Sequence, residues 1–259
     1  MKKPGKIKFI NSNEISLRSE HILNENSSFA VTEAYKTTRT NLQYISNDDG
    51  CNVIAVTSSV PGEGKTITCI NLAICLAQGG KKVLLIDADM RKPQVAETLS
   101  IEKRPGLSDL LAGFVKISDE EANCCRQKTT YENLDVISAG QIPPNPADLL
   151  AGSRLSDLLE KLSPEYDFIM IDTPPTLIVA DSLILKNHTN GYVVVVRSDV
   201  SSTDLVSETV AKLRQIDAKI CGFVLNGQKV KSGRHYGKYG KYGKYSKYSK
   251  YSKYSKYGI

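Results

Sequence analysis

The chain has no long hydrophobic run. None of its apolar stretches approaches the roughly 18 to 20 residues needed to cross a bilayer. Met1-Lys2-Lys3 has the charge of a secretory leader, but the apolar segment that should follow is missing. A cytoplasmic protein is the expectation. The six cysteines contain no Cys-x-x-Cys pair, and His21, His188 and His235 are scattered. Neither set has the spacing of a metal site, and reduced structural thiols fit a reducing compartment. Acid is missing altogether from residues 228–259, which hold ten Lys or Arg. The net charge of the whole chain is +6, so a tail at +10 leaves the remainder at −4. A mildly acidic body carries a strongly basic end.

What is present is enough for one large domain with appendages. Apolar residues make up 41% of the 259 residues and charged residues 24%, ordinary values for a soluble core. Residues 1–28 are polar and irregular and read as a flexible arm. Glu33 to Tyr44 reads as a helix with Ala30, Ala34, Leu42 and Ile45 towards its buried side. Short β-branched runs follow at 52–57, 82–86, 134–137, 168–171, 192–196 and 220–225. Helical stretches separate them at 67–78, 107–112, 118–126, 146–150, 155–162 and 205–216. Gly79-Gly80 supplies a C-cap. The strands lack alternating polar faces. Strands alternating with helices in this way predict an α/β fold, a doubly wound and mostly parallel sheet covered on both sides. Ligands then bind beyond the carboxyl ends of the strands.

One strand end carries a phosphate loop, Pro61-Gly62-Glu63-Gly64-Lys65-Thr66, followed by Ile67 and a helix. Backbone amides in such a loop, at a helix N-terminus, make an anion cradle. Gly62 and Gly64 let the backbone approach oxygen atoms, Lys65 pairs with β- and γ-phosphates, and Thr66 offers a hydroxyl to Mg²⁺. The usual pattern begins with Gly five positions before the Gly-Lys pair, where this chain has Ser59. The setting, between a strand and a helix, compensates. Asp87 and Asp89 follow one apolar run and Asp172 another. In a parallel sheet these carboxylates emerge on the edge of the phosphate loop. One can hold Mg²⁺ through water and another can accept a proton from an attacking hydroxyl. Arg91 admits two readings, holding phosphate or the tail, and bracing the acidic loop. Asn226, ending the last strand, is either an adenine contact or an ordinary strand-end turn.

The tail holds eight tyrosines at a strict spacing of three: Tyr236, Tyr239, Tyr242, Tyr245, Tyr248, Tyr251, Tyr254 and Tyr257. A period of three matches neither a helix nor a strand, so a disordered segment is expected over 228–259. Beside a phosphate loop, a row of phenols reads as a substrate. A basic aromatic arm for anionic lipid or nucleic acid is the rival reading, and no specific nucleic-acid partner is expected.

At these residues the chain resembles the bacterial tyrosine kinases of capsule and exopolysaccharide assembly. The likeness runs from about Glu33 to the end and rests on Ser58–Thr66, Leu84–Pro93, Ile169–Pro175, Gly140–Pro146 and the tyrosine cluster. It implies a P-loop NTPase fold and an ATP- and Mg²⁺-dependent kinase domain over 29–227 that autophosphorylates the tail between subunits of a ring. It implies Asp87 as base, with Thr66, Asp89 and Asp172 around magnesium. Glu33, Lys36 and Arg39 occupy the family's Glu-x-x-Arg-x-x-Arg oligomerisation motif. Lysine at 36 lacks the bidentate fork of arginine. It further implies a transmembrane activator of the polysaccharide co-polymerase type, which recruits the kinase to the inner membrane face, and an opposing tyrosine phosphatase. A partitioning or cell-division ATPase is the alternative. Such switches carry an extra lysine where this chain has Val60.

Overall fold

A computed structural model describes residues 20–45, 50–115 and 124–228. The eight tail tyrosines, residues 1–19 and the expected helical residues 118–123 lie outside the described residues.

Seven strands form one sheet: β1 Asn52–Ser58, β2 Val83–Asp87, β3 Arg126–Lys128, β4 Leu134–Ile137, β5 Phe168–Asp172, β6 Gly191–Arg197 and β7 Ile220–Asn226. Their order is β3-β4-β2-β5-β1-β6-β7. All neighbours are parallel except β3 against β4. The strands look uniformly apolar in sequence because both faces are covered. Ile54, Val56, Val83, Leu85, Phe168 and Met170 enter one core, while Val53, Leu84, Ile86, Ile169 and Ile171 enter the other. The alternation is real, but it sorts apolar side chains between two interiors.

The first core is closed by α1 Phe29–Ile45 and α2 Lys65–Gln78. The shorter helices are α3 Val95–Leu99, α4 Leu107–Leu111, α5 Pro146–Ala151, α6 Ser153–Leu162, α7 Asp181–Ile184 and α8 Thr203–Gln215. Of these, α4, α5 and α6 close the second core. Nearly all of α2 is buried, from Thr66 to Ala77. It stops where Gly80 takes φ 83 and donates to the Ala77 carbonyl.

Four expectations are corrected. In α1 only Leu42 is buried, while Ala30, Ala34 and Ile45 are exposed. The inward face is instead Tyr35, Arg39 and Leu42, at i, i+4 and i+7. Tyr35 packs on the core and Arg39 Nη1 donates to the Cys75 carbonyl at 3.0 Å. The arm is anchored at its described end: Ile22 and Leu23 are buried, and the Leu23 amide donates to Asn71 Oδ1 at 2.9 Å. Arg126 begins an antiparallel edge strand rather than ending a helix, because its amide neighbours pair with β4. Last, β7 is not covered on both faces. Phe223 and Leu225 are more than half exposed at this edge.

Candidate active site

The strand order explains why distant carboxylates meet. β5 lies between β1 and β2, with Asp172 in register with Val56 on one side and with Asp87 on the other. The β1–α2 loop and both acidic strand ends therefore open on the same edge of the sheet.

Gly64 caps α2 in a left-handed conformation, φ 90 and ψ 22. A Cβ there would also collide with the side-chain amide of Asn226. Glycine is thus demanded twice, by backbone and by space. Lys65 Nζ lies 2.8 Å from Asp89 Oδ2 and 3.7 Å from Asp172 Oδ1. Burial opposes the lysine's charge, but Asp172 and Asp89 outweigh it and raise its pKa above the ordinary value. Thr66 Oγ1 donates to Asp172 Oδ2 at 2.7 Å.

Both Asp87 oxygens accept main-chain amides, from Asp89 at 3.1 Å and from Gln94 and Val95 at 3.2 and 3.1 Å. Burial first, and Asp172 second, push the Asp87 carboxyl up to about 8. Burial likewise raises Asp172 to about 6, against the pull of Lys65. A buried carboxyl pair raised in this way holds protons readily.

The residues suit a divalent cation on one specific observation. Asp172 Oδ1 is buried and accepts no hydrogen bond. Beside it stand the Thr66 hydroxyl and Asp89. Among the described residues no group of three or more His, Cys, Asp or Glu is placed to hold an ion alone. Magnesium needs no such group, because it binds through one or two carboxylates and completes its shell with water and phosphate oxygens.

Other residues named from sequence fall into place differently. Glu63 is fully buried, and its carboxylate braces the loop: Oε2 accepts the Val60 amide at 2.8 Å and Oε1 accepts the Ser201 hydroxyl. Its carboxylate is thus occupied within the loop, which leaves the main-chain amides to face an anion. Asn226 Nδ2 donates to the Glu63 carbonyl at 3.0 Å, so it sits against the loop. Arg91 makes a bidentate pair with buried Asp181, at 2.8 and 3.0 Å. Glu33 and Lys36 pair with each other at 2.9 Å on an exposed helix face, apart from the site.

Sequence reading missed Arg197, whose Nη1 donates to the Gly62 carbonyl at 3.1 Å. It ends β6 on the carboxyl edge, and that position was the signal. It also missed why Ser59 replaces glycine. Ser59 Oγ accepts from Thr209 Oγ1 at 2.8 Å, tying the loop to α8.

Comparisons with known proteins agree with this geometry. A family model described as an AAA domain matches residues 51–222. The tyrosine-protein kinase YwqD of Bacillus subtilis is 40% identical over 80% of this chain and 85% of its own length. The tyrosine-protein kinase wzc of Salmonella typhimurium is 38% identical over 75% of this chain but only 26% of its own length. The chain thus spans most of one curated relative and about a quarter of the other. The solved kinase domain of Escherichia coli tyrosine kinase ETK superposes with a TM-score of 0.73, at 33% identity, covering 81% of this chain and 80% of that domain. The nucleotide-binding loop, the aligned acidic strand ends and these likenesses together place the chain in the family of bacterial tyrosine-protein kinases.

Proposed function

We propose that the chain is an ATP-dependent protein-tyrosine autokinase whose substrates are the tyrosines of its own tail, carried by neighbouring subunits. The observation that supports this best is the meeting of a phosphate cradle with Asp87 and Asp172 on adjacent strand ends, in a chain that also ends in eight phenols.

The transfer forms a bond from a phenolic oxygen to the γ-phosphorus and breaks the bond to the β–γ bridging oxygen, releasing ADP. Lys65 leaves Asp89 for the β- and γ-phosphate oxygens. Asp87 accepts the phenolic proton. Burial makes its carboxylate a stronger base than an exposed one. Thr66 and Asp172, with Asp89 through water, would hold magnesium, which when bound offsets charge on the phosphate oxygens. Asp181 fixes Arg91 at the rim. Glu33 and Lys36, on the exposed face of α1, serve ring assembly, while Arg39 holds that helix on the core through the Cys75 carbonyl. A transmembrane co-polymerase-type activator recruits the domain over residues 29–227 to the inner membrane face, a tyrosine phosphatase resets the tail over 228–259, and polysaccharide synthesis and export is the process regulated.

Labelled ATP tests the reaction. Wild type should place γ-phosphate on its own tyrosines, and Lys65→Met should reduce that by about 10²- to 10³-fold, the usual loss for a group that stabilises transition-state charge. Hydrolysis of ATP with no label on the protein would favour the partitioning-type ATPase instead.

A further inference from the structure

A concavity that the reaction does not use opens where the chain leaves β4, on the same edge of the sheet as the phosphate loop. It has a volume of about 450 Å³, within the range of small-ligand sites. Its walls come from Ser108 and Asp109 on α4, from Ala112 and Phe114 just after it, and from Gln141 to Asn145 with Asp148 and Leu149. Gln141 to Asn145 of that wall belong to the Gly140–Pro146 motif, which the phosphate chemistry leaves unexplained. Phe114 and Ile142 are large apolar residues left 81% and 62% exposed at its mouth. Asp148 stands exposed on its rim, with no cationic partner among the described residues. In the wall, the Ser108 hydroxyl is buried and makes no hydrogen bond. An apolar slot with a carboxylate at its rim and one unsatisfied hydroxyl suits a ring with a polar tip and a cation next to it.

We infer that this pocket docks one Tyr-x-Lys unit of the tail, residues 236–257, while a neighbouring unit is phosphorylated. Three observations point to this occupant. The tail is +10 against a body of −4, so Asp148 faces a ligand of opposite charge. The pocket follows β4, which pairs with β2, the strand that ends at Asp87. The two strands are parallel neighbours, so the segment leaving β4 and the acidic end of β2 open on the same edge of the sheet. The repeat supplies the spacing: three extended residues span roughly 10 Å, so a seated phenol sets the next one a fixed step away. The chain leaves the described residues after β7, five strand spacings or about 24 Å from β4. The 29 steps from Gln228 to Tyr257, at up to roughly 3.3 Å each, exceed that span several-fold, so the tail is long enough for its own pocket or that of a neighbouring subunit. A strict period of three then has a purpose, since it lets any phenol serve as anchor for its neighbour.

The inference rests on the tail being the substrate, but its test separates the two. A peptide of four Tyr-Ser-Lys repeats is titrated onto the full chain without nucleotide, against Ile142→Ser and Asp148→Lys. Both positions are exposed, and circular dichroism checks their folds. Each variant should bind at least fivefold more weakly and, with ATP, should show a KM for the peptide raised by a similar factor. Affinities equal to wild type in both variants would overturn the docking site. A wild type that binds the peptide but never phosphorylates it would overturn the kinase reading and leave the docking site standing.

Discussion

Asp172 is the hinge of the site at the scale of single residues. One of its oxygens is satisfied by Thr66 and the other by no hydrogen bond. A buried oxygen in that state is costly unless a ligand completes it. Asp172→Asn should therefore weaken the magnesium dependence of nucleotide binding by tenfold or more while leaving the folded chain intact. Isothermal titration of nucleotide across a magnesium series checks this, and an unchanged dependence contradicts it. Gly64 tests the loop itself. A side chain at φ 90 costs about 1–2 kcal/mol from backbone alone, and here it also strikes Asn226. Gly64→Ala should lower stability by at least that much in urea titration, and Asn226→Ala should recover only the steric part. Lys65, Thr66, Asp87 and Asp172 were legible in the sequence because each sits directly after an apolar strand or in a loop of known chemistry. The bracing roles of Glu63 and Ser59 were not. Their partners Ser201 and Thr209 lie 138 and 150 residues away in sequence, and no local pattern carries such a pairing.

Elements differ in how much they contribute to the fold. α2 is buried along most of its length and links the phosphate loop to the first core. Ile74→Ala should cost about 2–5 kcal/mol, the range for a fully buried aliphatic side chain. Phe223 on the edge strand is 53% exposed, and Phe223→Ala should cost less than about 1 kcal/mol. Chemical denaturation of the two variants decides whether the sheet is supported from its centre or from that edge. The same contrast explains what the sequence revealed. Central strands announce themselves by runs of Val, Ile and Leu long enough to exclude solvent. β3 is three polar residues, Arg-Gln-Lys, and exists only because β4 offers it hydrogen bonds. α3 and α7 have five and four residues, too few to show a helical period. In α1 the aliphatic side chains mislead: Arg39 and Tyr35 supply the inward face, and Arg39 does so by reaching a helix C-terminal carbonyl.

The whole molecule pairs an acidic body with a basic end. No helix among the described residues is long and apolar enough to cross a membrane. Each tyrosine phosphate adds roughly −1.5 to −2 charges, so eight would add about −12 to −16 and reverse the tail's sign. Loss of attraction to the body, followed by repulsion between tails, should loosen an assembly. Changing all eight tyrosines to Glu should shift light-scattering mass towards the monomer relative to an all-Phe version. Equal masses would contradict this. In the proposed reaction, ATP's terminal phosphoryl group passes to the tail phenols. Phosphopeptide mapping of the full chain, incubated with magnesium, ATP and the proposed transmembrane partner, decides between transfer and plain hydrolysis. Phosphate should appear on tyrosines between Tyr236 and Tyr257 and vanish in Lys65→Met. A tail left wholly unmodified while the chain still consumes ATP would contradict the account.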